Sequence, residues 1–207
     1  LYLPIRGGPV EEVVHWMATL DHVSPDGLIN GMNQKQLRQW KKGNPGFRSF
    51  TVLRHPAPRA HSVFCRRILG TGKQSYGAIR ETLRRQFKLP LPPAGEAGSY
   101  DRETHRIAFG MFLDFLQSNL AGQTAVRVDA EWASQSQALA GFAELGPPDL
   151  LIREDEMEAD LPALARKLGR MDPDPVPAAV PDVPFALDEI YDAELEALIA
   201  SVYQRDY

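Results

Sequence analysis

A chain of 207 residues with a hydrophobic share of 43% can bury one sizeable core, and a single domain over residues 1–207 is the expectation. Its net charge of −4 excludes a general nucleic-acid binder. No apolar run approaches the roughly 18 residues that a membrane span needs, and no secretory signal is visible. The single cysteine, Cys65, excludes an intrachain disulfide framework, so the reducing cytoplasm is the expected compartment.

Residues 1–5 are apolar and strand-like, and Arg6-Gly7-Gly8-Pro9 then breaks the chain before a helix that begins near Val10. His22-Val23-Ser24 leads into a turn at Pro25-Asp26-Gly27. A long polar connection follows, punctuated by Gly31, Gly43, Pro45 and Gly46, with a short helix over 34–41. Phe50 to Leu53 is short, apolar and β-branched enough for a buried strand, and Pro56 and Pro58 stop its ladder. The spacing of Ala60, Val63, Phe64, Arg67 and Ile68 predicts a helix over 58–70, where an early proline is tolerated. Arg54 then stands at the carboxyl end of a strand and Ser62 one to two turns into the next helix. Open α/β sheets hold ligands at that place, and an arginine fork with a hydroxyl suits one phosphate.

Gly70-Thr71-Gly72 separates this helix from a second over 74–87. With Lys73 the run imitates a nucleotide loop, but Arg67 stands where an earlier glycine belongs and Gln74 where Ser or Thr should follow. Pro90, Pro92, Pro93, Gly95 and Gly98 make a surface loop. Ile107, Phe109, Met111, Phe112, Phe115 and Leu116 have helical spacing over 100–119. Val126 and Val128 suit a short strand before Trp132, Leu150 to Ile152 another, and 160–168 a helix. A proline-rich connector over 171–187 leads to an amphipathic helix over 188–203 that is expected to pack back on the rest. Strands alternating with helices predict an α/β fold, a three-layer sandwich with a mainly parallel central sheet. Between Arg54 and Lys88 only Glu81 opposes nine basic residues, whereas residues 144–196 are strongly acidic. A basic middle suits an anionic cofactor, although most such residues are ordinarily solvated helix faces.

Arg54, Pro56, Arg59, Ser62 and Phe64 together form a pattern similar to the 3′-phosphate-binding segment of sulfotransferases that use 3′-phosphoadenosine-5′-phosphosulfate (PAPS), of the carbohydrate and heparan-sulfate type and their bacterial relatives. Asp129-Ala-Glu131-Trp132-Ala-Ser134-Gln135 resembles that family's His-Trp-x-Pro-Gln segment, with Glu131 and Ser134 in place of His and Pro. Asp149-Leu-Leu-Ile-Arg153 with Asp155, Met157, Asp160 and Leu161 resembles the strand and acidic turn before its late helix. Tyr203-Gln-Arg-Asp206 resembles its closing Tyr-x-x-Asp signature.

The resemblance implies a P-loop-like sulfotransferase fold with PAPS as donor and no metal. It places Arg54 and Ser62 on the donor's 3′-phosphate and the Arg6-Gly7-Gly8 loop on its 5′-phosphosulfate. That loop departs from the family's Pro-Lys-Thr-Gly-Gly-Thr-Ser type: Arg6 replaces the lysine charge, and Pro9 removes an amide with no hydroxyl after it. His22 resembles the base-bearing His-Val-Ser segment of heparan-sulfate 2-O-sulfotransferases, with Glu131 as the competing base. The expected reaction is sulfuryl transfer to a hydroxyl of a saccharide or another polar acceptor chosen by loops 21–46 and 90–100. The alternative is a catalytically impaired protein of the same fold that serves as a binding or interaction module. A kinase or nucleotide hydrolase is disfavoured, because neither glycine loop carries Lys followed by Ser or Thr. Trp132 stacks on sugar or adenine, or packs in the core. His55 and His61 are read as non-ligands for metal, and Cys65 as a buried thiol beside Phe64 and Ile68.

Overall fold

A computed structural model describes residues 1–29, 31–93, 100–144, 146–178 and 183–207. The described residues are mostly helical, with a small parallel sheet. They form two compact units, Leu1–Arg54 with Leu139–Ala179, and His55–Ala138 with Val180–Tyr207. No described helix is long and apolar enough to cross a membrane.

The first unit is built on β1 (Phe50–Leu53) and β2 (Leu150–Arg153), paired in parallel with Phe50 opposite Leu150 and Leu53 opposite Arg153. Asp149 fixes this register at its start, its carboxylate accepting the Ser49 amide and hydroxyl at 2.7 Å each. Residues 1–3 lie along the other side of β1 through a bridge at Tyr2, with the Leu3 amide 2.8 Å from the Phe50 carbonyl. The parallel centre is thus two strands and one bridge. The mixed α/β class agrees with the sequence reading, and the wider sheet of a three-layer sandwich is not formed among the described residues. The dipeptide pattern at Val126 and Val128 makes no strand, because the Asn119 amide takes the Val126 carbonyl at 2.6 Å before any ladder can.

Two helices of this unit cover β1. The first, α1 (Val10–Leu20), turns Val13 and Trp16 inward, and α7 (Met157–Lys167) contributes Met157, Leu161 and Leu164 to the same apolar cluster as Val52 and Ile152. The connector's described part joins them: Val176 is buried there, and the Trp16 indole donates to the Asp174 carbonyl at 2.9 Å. The helix expected over 34–41 is α2 (Gln34–Gly43), started by a reciprocal capping box between Asn33 and Gln36.

The second unit is helical. Pro56 opens α3 (Pro56–Val63), which runs into a π-helical turn over Phe64–Leu69. Gly70 ends that turn: its amide reaches back to the Cys65 carbonyl at 2.8 Å, and a Cβ there would meet the Arg66 carbonyl at 2.9 Å. Next come α4 (Gly77–Gln86) and the long α5 (Arg102–Leu120), capped by Asp101 on the Thr104 amide at 2.8 Å. The chain passes back to the first unit through α6 (Gln135–Ala143). The helix expected over 188–203 divides into a 3₁₀ turn at Leu187–Glu189 and α8 (Ala193–Val202), restarted by Asp192 as N-cap. It packs along α5, where Leu195 fills the space beside Gly110 and Arg106 pairs with Asp192 and Glu194 at 2.6 Å each. The expected loop positions Gly95 and Gly98, and Pro181 of the connector, lie outside the described residues.

Phe112 holds the centre of this unit, with ring centroids 5.4 Å from Phe64, 6.1 Å from Phe115 and 6.4 Å from Trp132. Its truncation leaves a cavity that three rigid rings cannot close. Phe112→Ala is expected to cost about 3–5 kcal/mol in denaturant unfolding; a loss below about 1 kcal/mol would contradict this packing.

Candidate functional site

At the carboxyl ends of the parallel segments in the first unit, three sequence-distant pieces meet. The glycine loop follows residues 1–5, Arg54 follows β1 and Glu154 follows β2. Gly7 adopts φ 77°, a left-handed conformation that favours glycine, and a Cβ on Gly8 would stand 3.0 Å from the Ile5 carbonyl. Both glycines are therefore required by the turn itself. Arg54 donates to the Gly7 carbonyl at 3.4 Å and engages Glu154 in a two-pronged pair at 2.5 Å each. Burial opposes the Arg54 charge, but the hydrogen bond and charge of Glu154 raise its pKa above the ordinary value. The buried Tyr2 hydroxyl has no hydrogen-bond partner, and its pKa is raised by burial, then by Glu12 and Glu154, against Arg54.

The sequence-predicted residues divide around this place. The structure brings Gly7, Gly8 and Arg54 together, while Arg6 stands exposed on the same loop. His22 lies at the other end of α1, beyond eleven helical residues or about 16 Å of helix. It is exposed with φ 52°, its amide closing the helix on the Thr19 carbonyl at 3.1 Å. The loop and His22 are not brought together. Ser62 is half-buried on α3 in the second unit, so its pairing with Arg54 rests on the sequence spacing. The first turn of α1 carries Glu11 and Glu12, which already complement the positive end of its dipole.

In the second unit, residues of three of the four resembling segments prove to be one another's partners. Arg59, 1% exposed, donates to the carbonyls of Ala133 at 2.8 Å and Ala130 at 3.3 Å. Asp206 accepts the Gln135 and Ser136 amides at 2.8 and 3.0 Å and the Ser134 hydroxyl at 2.8 Å, capping α6. The Tyr203 hydroxyl donates to the Trp132 carbonyl at 3.1 Å, and the Trp132 indole to Asn119 at 2.9 Å. Trp132 is fully buried, which settles the choice left open for it in favour of packing. Glu131, the competing base, is buried and paired with Arg67 at 2.6 Å.

One constellation was missed by the sequence reading. His61 and Cys65 stand four residues apart on consecutive turns and meet His105 of α5, all three buried, with their ligating atoms within 4.8 Å of one another. The His-x-x-x-Cys spacing was the available signal, since helical positions i and i+4 share a face. His105 was concealed in an apolar helix pattern. Burial lowers His61 to about 4, helped by His105, and lowers His105 to about 4 against the pull of Glu189. Burial pushes the Cys65 thiol up to about 12, with Arg66 acting the other way. The reading of Cys65 as a buried thiol agrees with its place.

A scan against protein-family models finds no match, and no curated protein or solved structure matches the chain.

Asp206→Ala is expected to destabilise the chain by about 1–2 kcal/mol, because it orphans two amides and a hydroxyl that are partly buried. Chemical denaturation measures this. A change below about 0.5 kcal/mol would show that the cap is not formed.

Proposed function

We propose that the chain is a sulfotransferase-like protein that binds PAPS and passes its sulfuryl group to a hydroxyl of a saccharide or other polar acceptor. One observation carries this reading: the Gly7-Gly8 turn and the Arg54 guanidinium converge at the carboxyl ends of parallel segments, where α/β folds bind nucleotides. On this reading the β1–β2 pair with its Tyr2 bridge is the parallel centre of a three-layer, P-loop-like fold. Arg6 and the Gly7-Gly8 backbone face the donor's 5′-phosphosulfate, and Arg54 holds the 3′-phosphate. A phosphate dianion takes the arginine fork in place of a carboxylate.

A second reading has its own observation. Glu154 already fills the Arg54 fork, Glu11 and Glu12 flank the loop, and the expected base His22 is a helix length away. These features support a binding or interaction module that retains the nucleotide end of the site without turnover. Labelled PAPS decides between the two: sulfate transferred to an acceptor or released to water supports the enzyme, and donor bound without turnover supports the module.

Adenosine 3′,5′-bisphosphate is the probe for the shared claim. Calorimetric titration should give a measurable affinity that falls at least about tenfold in Arg54→Ala, the loss of one charge-assisted contact. Glu154→Gln should tighten binding by releasing the fork. No heat of binding at millimolar nucleotide in either the native chain or Glu154→Gln would sink both readings.

A further inference from the structure

We propose that His61, Cys65 and His105 form a binding site for one zinc ion in the second unit. The inference does not rest on the glycine loop, Arg54 or Glu154, which lie in the first unit and share no residue with this cluster.

The geometry is the first argument. His61 Nε2 and His105 Nε2 are 2.9 Å apart, and the Cys65 sulfur stands 3.6 Å from the one and 3.9 Å from the other. Zinc bonds of roughly 2.0–2.1 Å to nitrogen and 2.3 Å to sulfur, at tetrahedral angles, separate ligand atoms by about 3.3–3.6 Å. The triangle therefore needs only a few tenths of an ångström of adjustment, mainly an opening of the two imidazoles.

The setting is the second argument. Three polar groups are gathered in an aromatic enclosure: Phe109 packs edge-on to His61 at 5.2 Å, and Phe64 and Phe185 stand 5.4 Å from His105. Within it the cysteine finds only sulfur contacts, which are weak. Apolar side chains of the same shape would fill this space at little or no cost. Cys65 also lies in the π-helical turn of Phe64–Leu69, an irregularity frequent at functional sites.

The outer contacts are the third. The Tyr100 hydroxyl is 3.1 Å from His105 Nδ1, the arrangement that fixes the tautomer of a ligating histidine. With Nδ1–H donating to the Tyr100 oxygen, the Nε2 lone pair of His105 is turned toward the other two ligands.

Two nitrogens and one sulfur, with no oxygen ligand, suit zinc and exclude magnesium and calcium. On binding, Cys65 loses its thiol proton to solvent and becomes a thiolate, since a coordinated thiol is deprotonated outright. The proton between the two Nε2 atoms moves to His61 Nδ1, and no group is oxidised or reduced. Three protein ligands leave the fourth position to water.

The test uses the full chain, freed of any affinity tag and stripped with chelator, then titrated with zinc chloride. About one zinc per chain should bind. Cobalt(II) at the same place should give a thiolate-to-metal charge-transfer band. Cys65→Ala should abolish the band and weaken zinc binding about 100-fold or more, and Tyr100→Phe about tenfold, the range for an outer contact. His55→Gln, outside the cluster, should bind as the native chain does, and circular dichroism of each variant separates lost folding from lost metal. Absence of stoichiometric zinc uptake would overturn the site, as would Cys65→Ala and His105→Gln variants that bind zinc like the native chain. Copper recovered at one per chain from cells supplied with both metals would overturn the assignment to zinc.

Discussion

Everything at the candidate nucleotide site depends on one long-range pairing, that of β1 with β2. It joins positions 100 residues apart, as do the contacts at its two ends, Ser49 with Asp149 and Arg54 with Glu154. Closing a loop of that length costs on the order of 4 kcal/mol. Two strands alone cannot offset this, since an isolated pair is marginal in water. Burial of Trp16, Val52, Leu161 and Leu164 supplies the driving force, and the carboxylates of Asp149 and Glu154 select the register. A slip by one residue would carry Ile152 from the covered face to the open one and separate Arg54 from Glu154. The glycine loop and Arg54 are neighbours only because this register holds.

The second unit answers a different constraint. Its core is aromatic and its polar groups are tied into it pairwise: Trp132 to Asn119, Tyr203 to the Trp132 carbonyl, Arg59 to the carbonyls of Ala130 and Ala133, Asp206 to the start of α6. Many residues behind the sulfotransferase resemblance outside the Arg54 segment therefore have structural partners. A pattern such as Trp-x-x-Gln followed much later by Tyr-x-x-Asp can be demanded by packing as well as by a ligand. The resemblance thus speaks more directly to how this unit is held together than to what it binds.

What the sequence disclosed follows the range of the forces involved. The helices over 34–41, 100–119 and 160–168 were legible because capping and apolar periodicity are local, and β1 because two prolines bound a short β-branched run. Val126 and Val128 misled, since the group that satisfies their backbone is a side chain on the preceding helix. Glu131 misled for a similar reason: its partner Arg67 is 64 residues away, and no local rule anticipates the pair. Gly70 was legible as a break, but the hydrogen bond its amide donates to the Cys65 carbonyl, which widens the turn, was not. Two of the three residues of the histidine and cysteine cluster were within reach as an i, i+4 pair, whereas the approach of His105 is set by how α5 packs on α3. In the first unit the meeting of Gly7, Gly8 and Arg54 was readable as a strand-end pattern, and the capture of Arg54 by Glu154 was not.

That capture of Arg54 is the central energetic question at the proposed nucleotide site. Arg54 has one fork and two candidate acceptors. Its side chain is 12% exposed and that of Glu154 24%, so the pair is neither a free surface bridge nor a sealed one. Removing one partner of a fully buried pair costs about 3–5 kcal/mol, and an exposed pair is worth about 0–1 kcal/mol. A phosphate that displaced Glu154 would give Arg54 a stronger acceptor but would leave a carboxylate beside a dianion, with Glu12 near the same place. Exchange is favourable only if Glu154 turns into water as the phosphate enters, and its exposed edge gives it that route. The carboxylate then acts as an internal stand-in for the phosphate, keeping a half-buried guanidinium satisfied when no nucleotide is present. On the proposed function, nucleotide affinity at this site would be the difference between two charge-assisted pairs on one arginine, not the strength of either alone.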